Sequence, residues 1–504
     1  MAKICLCLTG KTLARDIEVL QKYQKYVDIA ELRADCLDPD ERFLIRRFPE
    51  MAGLPVILTI RRSLDGGKYV GGEGARITLL SKGLAFAEAD RRRNFAYVDL
   101  EDDLYVPSLE EAARTYGTRI IRSYHNMNGV DHDLAAKLRE LRRVGDELVK
   151  AAVMPQSLDD TIRVYQAAKE TSDLEKILLC MGDYGVSTRI LAEPMGSYLS
   201  YTTVKGEPDM PAGASGQLDP RELAEQFHFR EITGKTKIFG VTGFPLKVSA
   251  SPHFFNTVFD IEKTDAVYIP FPADSIHSLI RLAEEIRISG VSVTVPYKES
   301  VLPFLFCKSD LVQSIGACNT IVSSADGWMG YNTDAQGFTD SLLEFSGRKD
   351  LRGKRVTIVG AGGVSRAVAA EVYRLKGKAL ILNRTAVRAR DVALPYKFAW
   401  ASLDNKGIEM MEKYADIIIQ TTSVGMEPLP DADPIEFYHF TGKELVMDLI
   451  YKPAKTRCLV RAEASGCRIL NGYDMLIRQA RYQYTYFMGK EFPPSLISRV
   501  KLQE

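Results

Sequence analysis

The 504-residue chain carries no surplus of either charge: 66 Lys and Arg balance 66 Asp and Glu. Without a net field, nothing in the composition draws it to nucleic acid or to an anionic membrane. It lacks any apolar run near the ~20 residues that cross a bilayer. A strand-like run (KICLCLTG) opens at Lys3 and is expected to leave no room for a signal or transit segment. The eight cysteines show no zinc or redox spacing; Cys5-Leu6-Cys7 is neither a knuckle nor a CxxC pair. Most lie in apolar runs (Cys5, Cys7, Cys180, Cys307), which suggests reduced packing residues in a cytoplasmic protein with no metal. The one sharp basic run, Arg91-Arg92-Arg93, reads as a solvated helix end. Apolar content of 46% and charged content of 26% are ordinary for a globular protein, and the length suits two to four domains.

What is present is alternation. Over the first ~230 residues, strand candidates at 3–9, 28–34, 55–61, 95–101, 118–124, 147–154, 176–181 and 197–203 are separated by helical patterns, including 108–116, 132–143 and 158–170. Eight strands alternating with helices suit a closed (β/α)₈ barrel, with a large open α/β sheet as the alternative. A barrel does its chemistry at the C-terminal ends of its strands. Those ends carry Glu31, Arg33, Arg61, Glu101, His125, Lys150 and the segment around Arg189. Lys150 lies mid-strand between apolar neighbours, where burial favours a neutral amine able to attack a ketone. His125 ends the adjacent strand and offers a base with a near-neutral titration. The pair suggests Schiff-base chemistry with proton removal beside it. The plain alternative is a snorkelling lysine and a satisfied histidine at the mouth.

After a helix at 220–228 and a boundary near 229–236, a new strand begins at Lys237. From there to about 340 the chain is α/β with short elements. Residues 355–360 (RVTIVG) form a strand that breaks into Gly360-Ala361-Gly362-Gly363 and then a helix, a pyrophosphate cradle. An NAD site would carry a carboxylate about 20 residues on. Here the next strand ends in Asn383-Arg384-Thr385, with Arg388 behind, and guanidiniums attract a 2′-phosphate. The expected cofactor is NADP(H). Ser249 and Ser251, two apart, would aim both hydroxyls one way on an extended chain and suit a carboxylate, although such serines also serve turns. Lys298 and Asp334 could pass a proton to a developing alkoxide, or form a surface ion pair.

The runs ELRAD (31–35), TIRRSLDGG (59–67), SYH (123–125), KAAVMP (150–155), GVSTR (185–189) and ASGQ (214–217) resemble the type I 3-dehydroquinate dehydratases, in that family's order, over about residues 1–230. The resemblance implies that Lys150 forms an imine with the substrate ketone. It implies that His125 removes the adjacent proton and helps water leave, giving 3-dehydroshikimate. Arg189 and Gln217 would hold the carboxylate, and Glu31, Arg33 and Arg61 the ring hydroxyls. Two departures are Asp65, where the family usually has Glu, and Gly213, where a loop serine is usual.

The second half is similar to shikimate dehydrogenase over about residues 237–504. The runs are GFPLKVSASPHFFN (243–256), VSVTVPYK (291–298), GACNT (316–320), GYNTDAQGF (330–338), TTSVGM (421–426), DLIYKPAKT (448–456) and NGYDMLIRQA (471–480). That match implies shikimate binding by Ser249, Ser251, Thr294, Asn319, Asp334 and Gln479. Lys298 and Asp334 would transfer the proton, and Tyr451 would close on the substrate. Gly360, Ala361, Gly362, Gly363, Asn383, Arg384, Thr385 and Arg388 would take NADP. Gln420 stands where the family usually has Asn, which puts cofactor geometry there in question. The expected architecture is α/β throughout: a barrel (1–232), a shikimate-binding domain (237–340, completed by C-terminal helices 473–504) and an NADP-binding Rossmann domain (341–472). The expected function is a bifunctional shikimate-pathway enzyme acting on 3-dehydroquinate, 3-dehydroshikimate and shikimate. The rival readings are an NAD-dependent quinate/shikimate dehydrogenase with an impaired barrel, a Schiff-base aldolase, and a non-catalytic metabolite sensor.

Overall fold

The computed structural model describes residues 1–84, 90–211, 213–246, 249–497 and 499. Of the C-terminal helical segment expected from sequence, 498 and 500–504 lie outside the described residues. The chain forms two compact units, Met1–Ile288 and a second that begins at Ser289.

In the first unit, eight short strands run β1 (Lys3–Leu8), β2 (Ile29–Arg33), β3 (Val56–Thr59), β4 (Tyr97–Glu101), β5 (Arg119–Asn126), β6 (Leu148–Val153), β7 (Lys176–Cys180) and β8 (Leu199–Thr202). They pair in the order β7-β6-β5-β4-β3-β2-β1-β8, every pair parallel. Between β7 and β8, the Tyr198 N–H donates to the Lys176 carbonyl (2.6 Å) and the Leu178 N–H to the Ser197 hydroxyl (3.1 Å), which completes the ring. The strands are mostly apolar because both faces are buried. Alternate residues, among them Cys5, Cys7, Ile29, Ile57, Ile121, Leu148, Ile177 and Leu199, fill the barrel interior.

Local sequence fixes the helices between them. Ser157 is extended and its hydroxyl accepts from the Asp160 N–H, with Asp159 and Asp160 in the first turn of helix Leu158–Glu170 and Lys169 in the last. The helix expected at 220–228 is instead a π-helical segment, Glu222–Gln226. It stops because His228 takes φ 48°, a left-handed conformation that no right-handed helix continues through.

The same unit holds a parallel pair, β9 (Lys237–Gly243) and β10 (Ala266–Pro272), with helices Ser251–Ile261 and Ile276–Glu285. Helix Ile276–Glu285 packs on the barrel helix Leu158–Glu170. There Lys169 pairs with Glu285, Arg281 with Asp159 (3.2 Å), and the Leu158 N–H donates to Asp274 (3.0 Å).

The second unit contains β11 (Ile288–Val293), β12 (Leu305–Lys308), β13 (Thr320–Ser324) and β14 (Gly327–Tyr331), ordered β11-β13-β14-β12. It also contains a fully parallel sheet of β15 (Arg355–Val359), β16 (Lys378–Asn383), β17 (Ala399–Ser402), β18 (Ile417–Gln420), β19 (Leu445–Asp448) and β20 (Arg468–Leu470). Its order, β17-β16-β15-β18-β19-β20, reverses direction between β15 and β18. A crevice therefore opens beyond the C-terminal ends of those two strands, where doubly wound folds bind dinucleotides. Helix Tyr473–Met488 lies along helix Thr333–Ser346, and its Gln483 bonds to Ser292, Thr320 and the Asn319 carbonyl. Among the described residues no helix is long and apolar enough to cross a membrane, and no cluster of His, Cys, Asp or Glu could hold a metal ion.

Candidate active sites

The barrel encloses a cavity of about 240 Å³ that gathers Glu31, Arg33, Arg61, His125, Lys150, Arg189 and Gln217; Glu101, also expected at the mouth, does not line it. Asp65 and Gly213, the two departures, line it as well. The β5–β6 register pairs Ser123 with Lys150, so His125, two residues further along β5, shares the inward face with Lys150.

Lys150 does not sit in the purely apolar slot that its sequence neighbours suggest. Strand alternation turns it inward, where its ammonium pairs with Asp99 (Nζ–Oδ2 2.8 Å) and lies 4.5 Å above the Tyr201 ring. Asp99 is itself buried and also accepts from Ser123 (2.5 Å) and pairs with Arg61 (2.8 Å). Burial alone would raise its titration, but Arg61 and Lys150 hold the carboxyl well below the ordinary carboxylate range. His125 is pushed down too, with burial now acting in the same direction as the neighbouring cations. Burial, then the charges of Arg61 and Lys150, push it well below the usual histidine value, and its Nδ1 has no hydrogen-bond partner among the described residues. The result is a neutral imidazole facing the cavity, the protonation state a base requires.

Arg189 is 1% exposed, yet no carboxylate among the described residues answers it. Its Nε and Nη1 have no partner there, and Nη2 makes one long bond to the Ser215 carbonyl (3.4 Å). Burial pulls its titration down to about 10. A buried fork with open donors on a cavity wall suits a substrate carboxylate. Gln217 stands beside it, accepting from the Ala214 N–H (3.0 Å) and reaching Cys7 (3.5 Å). Glu31 accepts from Thr59 (2.8 Å) and Cys7 (3.0 Å), and Arg33 is held bidentately by Asp35. Asp65 is tied to Arg62 (2.7 Å). A Cβ on Gly213 would lie 2.6 Å from Gln217 Oε1, so a side chain there would displace Gln217.

In the second unit, Lys298 and Asp334 form a buried pair (2.6 Å), not a surface one. Asp334 lies in the first turn of helix Thr333–Ser346, and Lys298 on the turn Tyr297–Ser300 after β11. Asn319 bonds Thr333 (2.9 Å), and Thr333 also reaches Gln479 (3.3 Å), which brings the starts of β13 and helix Thr333–Ser346 against the middle of helix Tyr473–Met488. Thr294 follows β11 and Tyr451 follows β19; both are half-buried. Ser249 and Ser251 belong to the first unit and are not on an extended chain. Ala250 is helical and the Ser249 hydroxyl accepts from the Ser251 N–H (3.3 Å), so the two hydroxyls are not presented in parallel.

The nucleotide cradle fits its expected ligand. Gly360, at φ 118°, ends β15, and a Cβ on it would collide with Thr421 at the end of β18. Gly362 caps helix Gly363–Arg374 with open space where a Cβ would be, so a pyrophosphate can approach the backbone. Ala361 sits between them. Asn383 bonds the Thr385 carbonyl (3.0 Å), which orders the β16 turn, and Arg384, Thr385 and Arg388 are exposed beyond it. Gln420 ends β18. It is fully buried and donates to the Thr422 and Val424 carbonyls and to Asp448, so it organises the loop after β18.

Sequence reasoning missed Asp99, Asp35, Tyr201 and Thr333. Asp99 had a signal: it is two residues before Glu101 on one strand and so faces the same way.

The barrel site is a polar cavity around an amine, and the Lys298–Asp334 pair stands beside a dinucleotide cradle. Three family models match the chain: type I 3-dehydroquinase over 4–233, the shikimate dehydrogenase substrate binding domain over 241–321, and shikimate/quinate 5-dehydrogenase over 343–447. The chain is 29% identical to the chloroplastic bifunctional 3-dehydroquinate dehydratase/shikimate dehydrogenase of Arabidopsis thaliana, across 95% of this chain and 81% of that protein. It is 35% identical to the shikimate dehydrogenase (NADP(+)) of Caldanaerobacter subterraneus subsp. tengcongensis, across 53% of this chain and 97% of that one. Similar solved structures include the shikimate dehydrogenase from Aquifex aeolicus (31% identity, 53% of this chain and 98% of that chain, TM-score 0.49). Another is the dehydroquinate dehydratase and shikimate dehydrogenase from S. pombe AroM (24% identity, 99% and 98%, TM-score 0.42). The chain belongs to the shikimate dehydrogenase family, and its residues 4–233 match the type I 3-dehydroquinase model.

Proposed function

We propose that the chain carries out two consecutive reactions: dehydration of 3-dehydroquinate to 3-dehydroshikimate in the barrel, then NADPH-dependent reduction to shikimate in the second half. In the first, the Lys150 amine adds to the ketone and the ketone oxygen leaves as water, giving an imine. The imine is a better electron sink than the ketone, which makes the proton on the next carbon removable. His125 takes that proton and returns it to the departing hydroxyl, and water then hydrolyses the imine. Arg189 and Gln217 hold the substrate carboxylate, and Glu31, Arg33 and Arg61 the ring hydroxyls. The unanswered buried guanidinium of Arg189 is the observation that carries this reading.

In the second reaction, NADPH supplies the hydride when bound. Thr294, Asn319 and Gln479 hold the substrate with Asp334, and Tyr451 closes over it. Lys298 delivers a proton to the developing alkoxide while Asp334 keeps the pair neutral. Gly360, Ala361, Gly362 and Gly363 take the pyrophosphate; Asn383, Arg384, Thr385 and Arg388 take the 2′-phosphoribose. We assign the functional divisions as 1–232, 237–340 with the helices from 473, and 341–472. The eight unpaired cysteines suit a cytoplasmic setting.

The test adds purified protein to 3-dehydroquinate and follows the ultraviolet absorbance of the conjugated enone, with NADPH or NADH added later in parallel. A rise followed by a fall with selective NADPH consumption supports both reactions. A flat first phase, with NADPH still consumed on supplied 3-dehydroshikimate, would refute the barrel's part.

A further inference from the structure

The ion pairs that begin at Lys150 run on beyond the wall of the cavity. Asp99 Oδ2 takes Lys150 (2.8 Å), and Asp99 Oδ1 takes Arg61 Nη2 (2.8 Å). Arg61 Nη1 takes Glu101 Oε1 (2.8 Å), and Glu101 Oε2 takes Arg76 Nη1 (2.7 Å). Arg76 Nη2 ends the row on Glu73 (2.6 Å), at the start of helix Glu73–Leu84. The charges alternate at every step, and each inner carboxylate gives one oxygen inward and the other outward. Arg76 and Glu101 are buried, at 1% and 2% exposure, and neither lines the cavity.

We propose that Arg76 is a positioning residue of the dehydratase reaction: by holding the outer oxygen of Glu101 it leaves Arg61 free to hold Asp99, and so keeps Asp99 from claiming Lys150 alone. The inference rests on the dehydratase reading. Without Arg76, the buried Glu101 carboxylate turns to Arg61 for its charge partner and draws that guanidinium away from Asp99. Asp99 then leans on Lys150 and favours the ammonium form. Imine formation needs the neutral amine, whose lone pair makes the new N–C bond while the ketone oxygen leaves as water with both amine protons. A residue that never meets the substrate thereby governs the nucleophile.

A packing role and a charge role separate in a double-mutant cycle on the full chain. In Arg76→Met, kcat for 3-dehydroquinate is expected to fall about thirtyfold with KM rising less than about tenfold, since Arg189 and Gln217 still hold the carboxylate and only Arg61 shifts against the ring hydroxyls. The amount of borohydride-trapped substrate on Lys150 should fall in parallel. In Arg76→Met/Glu101→Gln the stranded charge is gone, and the new amide oxygen still accepts from Arg61. There kcat is expected to return to within about fivefold of wild type. The shikimate dehydrogenase rate stays level throughout and reports intact protein. A double variant no faster than Arg76→Met, or an Arg76→Met chain with unchanged kcat, would overturn the proposal while leaving the dehydratase reading standing. A wild-type chain inert on 3-dehydroquinate would overturn both. If Arg76→Met does not fold, Arg76→Lys restores the charge and Arg76→Gln keeps just a hydrogen bond. The first is expected to retain kcat and the second to lose it, and equal losses would overturn the inference.

Discussion

Gly363 and Lys298 are packed backbone to side chain: a Cβ on the glycine would lie 3.0 Å from the lysine Cβ. The first residue of the cradle helix therefore sets where the Lys298 side chain stands. Its backbone is ordinary for any residue, so Gly363→Ala is expected to fold normally and to push Lys298 out of line. The dehydrogenase kcat should drop about tenfold, as small misplacements of a catalytic group do. Dehydration of 3-dehydroquinate by the same sample should be unchanged. Steady-state rates on both substrates check this.

Arg189 is costly to the fold and useful to the site. Arg189→Met should raise KM for 3-dehydroquinate about a hundredfold, the loss of a bidentate contact to a carboxylate. The same variant should also be more stable, by about 1–3 kcal/mol, because a buried cation without a counter-ion has been removed. Urea unfolding of both proteins tests the second half of the statement; a less stable variant would contradict it.

The two exposed guanidiniums after β16 predict cofactor choice. In Arg384→Ala/Arg388→Ala, KM for NADPH should rise about ten- to a hundredfold while KM for NADH stays level. Equal losses with the two cofactors would show that these residues do not read the 2′-phosphate.

Asp16 gives the barrel a pH dependence. It is fully buried, accepts from the Gly10 N–H (2.9 Å) through one oxygen, and leaves the other without a partner among the described residues. Burial pushes its carboxyl up to about 7. The folded chain then keeps a proton that the unfolded chain has lost, so stability falls as pH rises from about 4 to about 7, by up to about 1.4 kcal/mol per unit. Asp16→Asn should flatten that slope. Unfolding midpoints at pH 5, 6, 7 and 8 measure it.

The barrel was legible because its strands are short, largely apolar runs at regular spacing, and the period-2 rule turns residues such as Lys150 and His125 inward. The pairing that governs Lys150 was less legible. Asp99 is 51 residues away in the chain, and it meets Lys150 through the ring of the barrel, a relation that no local window contains. In sequence, the apolar neighbours of the amine therefore stand in for its whole environment. The extended chain expected at Ser249 and Ser251 is absent for a local reason: Ala250 turns helical as Ser251-Pro252 begin the next helix, and two-residue spacing then no longer means a shared direction. Gln420 was legible as a substitution but its place in the loop was not, since two of its acceptors belong to the turn it folds.

The linker at 233–236 looks like a natural place for a protease or an engineer to part the two activities. The contacts of helix Leu158–Glu170 argue otherwise. Its first amide is capped by Asp274, and its far end is anchored on Glu285, both beyond that linker. A barrel excised at residue 232 would carry a frayed helix directly after the strand that bears Lys150. Its melting would begin at that edge, whereas in the whole chain the barrel and the β9–β10 layer should come apart in one cooperative step.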